Sequence, residues 1–282
     1  MHFNSTFRKG TLFIAAFMIL FAACKRASKD DNYLSDDDDR IGYAADISRI
    51  ELANDDVISL ADQAGTLYNA TYIRKDNNSC ATVATDTVSG VHTLIIRFGN
   101  TNCPCADGRN RRGAIIISYT GKYSDTGIIH TITYDNYYVN DNHLTGSVKV
   151  TRVNTTVTGD WYYRVQVNDS LNMSPDPLQS KFVVWSASLT RKWIGGAQDN
   201  PRENDVFSVS GSGTLTRPNG HVFSVGISTP LQFAINCDYA ESGVANVTGY
   251  TGARVVNYGT GNCDASAQIN IAQHVYQVTM TP

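Results

Sequence analysis

Cysteines, histidines and a short run of arginines are the residue types in this 282-residue chain that could do chemistry. Cys80 is followed 23 residues later by Cys103 in Phe98-Gly-Asn-Thr-Asn-Cys103, and Cys237 is followed 26 residues later by Cys263 in Tyr258-Gly-Thr-Gly-Asn-Cys263. The recurring aromatic-Gly-x-x-Asn-Cys pattern predicts disulfides Cys80–Cys103 and Cys237–Cys263, with Cys80–Cys105 as the alternative first pairing. Each bridge would close a loop of about 25 residues and contribute on the order of 3 kcal/mol. Cys103-Pro-Cys105 is one residue short of the redox Cys-x-x-Cys motif, so a structural disulfide with a spare thiol is expected there.

His92, His130, His143, His221 and His274 stand alone along the chain, without the paired spacing that zinc requires. No Gly-x-Ser-x-Gly elbow and no phosphate-cradling Gly-x-x-x-x-Gly-Lys is present. No spacing singles out a carboxylate pair for glycoside hydrolysis, although such pairs converge from distant strands. No catalytic residue, metal or cofactor is therefore assigned. Two groups of residues are candidate ligand contacts. Arg109, Arg111 and Arg112, in Asp107-Gly-Arg-Asn-Arg-Arg-Gly113, form a basic turn able to meet a carboxylate or sulfate through planar forks. Trp161 and Trp193 could stack on a sugar ring or anchor a protein partner if they are exposed.

The elements that must position these residues are mostly strands. Hydrophobic residues make up 42% of the chain, aromatic 10% and charged 17%, which excludes a mainly disordered chain. A formal charge of −3 excludes the basic footprint of a nucleic-acid binder. Ile47, Ile50, Val57, Leu60, Ala61 and Ala64 recur at three- and four-residue steps and predict one amphipathic helix over about 45–64, ended by Gly65 and packed on the β body. After Leu67 the chain reads as strand and turn. Alternation is clear in Phe223-Ser-Val-Gly-Ile227 and Tyr276-Gln-Val-Thr-Met280. Pro218-Asn-Gly220 predicts a hairpin between 205–217 and 221–229, and Asn140-Asp-Asn142 predicts another turn. About a dozen such strands predict an all-β class: an antiparallel sandwich- or barrel-like body in two weakly repeated units after the helix.

The N-terminus reads as a targeting segment. Arg8 and Lys9 precede an apolar run from Thr11 to Ala23, too short to span a bilayer as a helix, and Cys24 follows directly. Leu-Phe-Ala-Ala-Cys24 resembles the lipobox of bacterial lipoproteins, with Phe21 where leucine is usual. The resemblance implies cleavage after Ala23 and lipidation of Cys24; an ordinary signal peptide cut near Ala23 is the alternative. Cleavage would leave 21 basic and 26 acidic residues, a net charge of −5. The following KRASKDDNYLSDDDD cannot pack and reads as a solvated tether. It resembles the surface-export signal of Bacteroidota lipoproteins.

FGNTNCPCADGRNRRGAIIISYTGKYSD, HTITYDNYYVN and the later Tyr-Gly-x-Gly-x-Cys-Asp resemble a family of uncharacterised Bacteroidota cell-surface lipoproteins. The resemblance carries no catalytic residues with it. The expected organisation is a signal peptide (1–23), a lipidated Cys24 with an acidic tether (24–40), the helix (41–66), a first β unit (67–158), a link with one strand (159–181) and a second β unit (182–282). The expected function is a non-catalytic binding or scaffolding module, held by its lipid on the outer membrane and facing outward, with the periplasmic face as the alternative. The membrane, through the anchor, and a glycan or extracellular protein are its expected partners. The alternatives are a structural envelope protein engaging a partner lipoprotein or transporter and, less favoured, a hydrolase with dispersed carboxylates.

Overall fold

A computed structural model of the chain describes residues 42–66, 74–75, 78–105, 107–154, 161–173, 181–196, 204–250 and 252–280. Helix α1 (Gly42–Thr66) leads, followed by a two-residue ladder of β1 (Arg74–Lys75) and β2 (Asn78–Ser79). Thirteen strands then run in sequence as one antiparallel meander: β3 (Thr82–Val88), β4 (Val91–Pro104), β5 (Asn110–Thr120), β6 (Ile129–Val139), β7 (Asn142–Asn154), β8 (Trp161–Asn172), β9 (Phe182–Gly195), β10 (Val206–Thr216), β11 (Val222–Ala234), β12 (Ser242–Gly249), β13 (Gly252–Thr260), β14 (Ser266–Ile271) and β15 (His274–Thr279). The all-β expectation is met, and one helix precedes the strands.

The two β units expected from the cysteine repeat lie in one sheet. β8 lies inside the segment expected to be a link, and it pairs along its length with both β7 and β9. Strands 11–14 residues long, many joined by tight turns, simply continue through the place where a boundary was expected. The result is a single sheet with two ends, β3 and β15, and no ladder joins those ends among the described residues.

Side-chain alternation gives the sheet two distinct faces. Tyr163, Val165, Val167 and Leu171 of β8, Val183, Trp185, Ala187 and Leu189 of β9, and Phe207, Val209 and Leu215 of β10 are buried. The intervening Arg164, Gln166 and Asn168 of β8 and Ser186, Ser188, Thr190 and Lys192 of β9 are exposed. The inner face covers α1. Ile47, Ile50 and Val57, on the expected apolar stripe, have no exposure, and Asp46, Glu51, Asp55 and Asp56, between the stripe residues, are buried as well. The helix is therefore enclosed on nearly all sides. Its partners run from Arg109, just before β5, to Tyr258 in β13, whose hydroxyl donates to Ala44 O at 3.0 Å. A sheet reaching one helix from so many strands must curl round it.

The turns obey local chemistry. Asn140 and Asp141 both take positive φ (47° and 63°) at the two-residue turn between β6 and β7, the geometry of a tight hairpin that asparagine and aspartate tolerate. The last hairpin uses Ala272 and Gln273 at φ 45° and 83° without a glycine. Gly113 is a different case. It sits at a register shift between β5 and β6 with φ +85°, and a Cβ there would lie 2.0 Å from Asn136 O. Neither the conformation nor the space admits a side chain. Gly113→Ala is expected to destabilise the fold by about 2–3 kcal/mol, read as a lower midpoint at an unchanged slope in urea unfolding.

Candidate functional site

The basic turn lies against the helix. β5 alternation carries Arg111 to the inner face, where it is 1% exposed, and Arg109 just before the strand is 5% exposed. Both converge on Asp56 of α1. Arg109 Nη1 donates to Asp56 Oδ1 at 3.2 Å, Arg111 Nε donates to Asp56 Oδ2 at 3.1 Å, and Arg111 Nη2 donates to Asp56 Oδ1. Asp107 closes the cluster by accepting from Arg111 Nη1 at 2.9 Å and from its Nη2, and Tyr137 Oη donates to Asp56 Oδ2 at 3.3 Å. Burial alone would lower both guanidinium pKa values, but the Asp56 and Asp107 carboxylates override it and hold both above the usual arginine range. Burial would likewise raise the Asp107 carboxyl, yet hydrogen bonding and charge from Arg111 bring it below the ordinary value.

Arg109 also ties two distant loops together. Its Nη2 donates to Cys237 O at 3.2 Å, and its Nε lies 3.4 Å from Asp238 in the loop after β11. Leu52, Asp56 and Arg109 line two small hollows on this side of α1, which hold room for only a few water molecules. Arg109 and Arg111, expected as ligand contacts, are buried with their forks on this chain's own carboxylates. Arg112 points to the other face. It pairs with Asp141, donates to Asn102 Oδ1 at 2.6 Å, and lies 3.7 Å from the centre of the Tyr138 ring.

The tryptophans separate. Trp193 is half-buried at the end of β9, with its ring 5.4 Å from that of Phe207, between exposed Lys192 and Ile194. The side chain of Trp161 lies outside the described residues. Trp185 is buried and donates Nε1–H to Glu51.

Further inward charges meet the helix in the same way. Arg191 of β9 pairs with Asp55 and donates to Ser59 Oγ at 2.7 Å, while Arg217 Nε donates to Asp46 Oδ2 at 2.8 Å. These partners escaped the sequence reading, although one signal was present. Arg191 is in phase with Trp185, Ala187 and Leu189, so the alternation that buries them buries it too. Among the described residues, no such cation meets Glu51 or Asp169. Burial raises the Glu51 carboxyl to about 8, against the Trp185 hydrogen bond. Burial and the neighbouring Glu51 push Asp169 well above the carboxylate range, opposed by Asn54.

The two expected disulfides, Cys80–Cys103 and Cys237–Cys263, are formed. Cys105 is free and buried, its Sγ 2.9 Å from Cys80 Sγ. All five histidines described have a tyrosine ring beside them, as in the 4.1 Å His130–Tyr123 and 4.3 Å His143–Tyr138 ring pairs. Among the described residues, the one trio of metal-type donors is Cys237, Glu241 and Cys263, whose two sulfurs are bonded to each other and offer no thiolate.

No family model, curated protein or solved structure matches the chain.

Three measurements check these interactions. Asp56→Asn leaves Asp107 as the one carboxylate shared by Arg109 and Arg111 and is expected to cost about 3–5 kcal/mol in chemical unfolding. Asp141→Asn, at a pair whose acid is 58% exposed, is expected to cost under about 1 kcal/mol. Glu51 binds its proton more tightly folded than unfolded, so the folded state carries the extra proton between the unfolded carboxyl value of about 4.5 and the folded value of about 8. Stability should fall as pH rises through that window, and Glu51→Gln should remove this part of the slope.

Proposed function

We propose that this chain is a lipid-anchored cell-envelope module, attached through Cys24 and its acidic tether to the outer membrane and facing outward. It works by binding or scaffolding a macromolecular partner on the outside of its sheet. The observation that carries this reading is the filled interior. Where a curled sheet of this size could hold a ligand cavity, α1 and its ion pairs occupy the space. Recognition then falls to the outer surface and the sheet ends. All seven residues of β3 are exposed, and among the described residues β4 is the one strand that pairs with it. Val83, Val88 and Val91 add exposed apolar surface there, at 37%, 64% and 42%.

That edge also favours the structural reading, in which a partner lipoprotein or transporter adds a strand to the sheet. A glycan partner draws less support, because Trp185, Arg109 and Arg111 are turned inward. Trp193 and its exposed neighbours remain the aromatic contact for it.

The test has two parts. Labelled palmitate should enter the wild-type protein and not the Cys24→Ala variant, and protease added to intact cells should cut the domain while periplasmic controls survive. Failure to incorporate label would reject the anchor, and protection in intact cells would reject the outward orientation. A photo-crosslinking residue at Val88 should capture a partner in growing cells, and recovery of monomer alone would reject partner binding at this edge.

A further inference from the structure

Three sulfurs meet where the ends of the β3–β4 hairpin come together. Cys80 and Cys103 are bonded, and the Cys105 thiol lies 2.9 Å from Cys80 Sγ. Period-two alternation explains the crowding: Cys103 and Cys105 flank Pro104, so both side chains leave the same side of an extended segment. Cys105 is fixed in place by its turn, its N–H donating to Arg109 O at 2.8 Å and its carbonyl accepting from Gly108 N at 3.1 Å. The three sulfurs differ in access. Cys80 and Cys105 are 4% and 3% exposed, whereas Cys103 is only half-buried.

We propose that Cys80 exchanges its disulfide between Cys103 and Cys105, so that the centre presents the Cys103 thiol at the surface as a site for modification by soft electrophiles or disulfide-bearing partners. The Cys105 thiol first loses its proton to solvent. Its sulfur attacks Cys80 Sγ, the Cys80–Cys105 bond forms, and the Cys80–Cys103 bond breaks with its electron pair leaving on Cys103. Cys103 then takes up a proton, and no net oxidation occurs. The bridge survives in either state, and only the exposure of the free thiol changes.

The groups facing Cys105 set the pace. Burial raises its thiol pKa, and Arg111 on β5 opposes that through charge and hydrogen bonding. Asp107 in the turn and Asp56 on α1 reinforce the rise, and Tyr137 on β6 stands within electrostatic reach. The thiolate is therefore scarce at neutral pH, and exchange accelerates as pH rises.

The experiment traps the exchange with N-ethylmaleimide on the purified full-length protein, without denaturant. Trypsin releases Cys80 on residues 76–97 and the other two cysteines on residues 98–109. Fragmentation at the Cys103–Pro104 bond then tells Cys103 from Cys105. A sample quenched in acid at the start should show Cys80–Cys103. With time at pH 8.5 the maleimide should collect on Cys103 while Cys80 becomes bridged to Cys105, with a rate falling about tenfold per pH unit down to pH 6.5. Cys105→Ser should show no adduct at these positions and a permanent Cys80–Cys103 bridge, and Cys103→Ser should show Cys80–Cys105. Three outcomes would overturn the proposal: adduct on Cys105 alone, no adduct in the wild type until it is unfolded, or a Cys80–Cys105 bridge already complete in the acid-quenched sample.

Discussion

Everything else in this fold depends on the neutralisation of charge inside it. Asp46, Asp55 and Asp56 of the helix meet Arg217, Arg191 and the Arg109–Arg111 pair arriving from the sheet. An isolated ion in such a place would lose several kcal/mol of hydration, so each must find its partner at a defined position. Apolar packing alone would let a helix slide or rotate within a greasy sleeve. Anchors spread from Asp46 to Asp56 fix both its height and its rotation, because displacing the helix by one residue would misplace all of them together. Glu51 and Asp169 complete the scheme in the opposite way, since burial raises their carboxyl pKa values and no cation pairs with them among the described residues.

The fold class was legible because strand alternation and turn chemistry are local. The Asn219-Gly220 turn, the Asn140-Asp141 turn and the two cysteine pairings could be read from short windows. The helix was legible as an element packed on the sheet, and the burial of its acidic positions was not. Ile47, Ile50 and Val57 give the stripe, but acids between apolar residues have the same spacing whether water or an arginine lies opposite them. The destination of Arg109 and Arg111 was hidden for a related reason. Their partner Asp56 lies more than fifty residues earlier, and no short-range pattern announces it. The repeated cysteine pattern carries no information on whether its two units share a sheet, and the strands of both lie in one.

The middle of the sheet's outer face is polar. There the outward rows of β8 and β9 are Arg164, Gln166 and Asn168, then Ser186, Ser188, Thr190 and Lys192, a hydrated surface. The end strand β3 is unlike this. Its threonines and valines favour extended structure, and Asp86 is its lone charge, so it has little of the charge blunting common on free edges. The contrast sets a quiet wall beside an open end.

The order of the elements has a consequence for how the molecule is made. The helix comes first in the chain, but its partners come later: Glu51 waits for Trp185, 134 residues on, Asp46 for Arg217 at 171, and Ala44 for Tyr258 at 214. Until those strands exist, a segment rich in both carboxylates and isoleucine has nowhere to go. Closing loops of that length before any contact rewards them makes assembly slow. The interval leaves the helix open to chaperones and proteases, so biogenesis of this protein is governed less by its final stability than by protection of its first element until its last strands arrive.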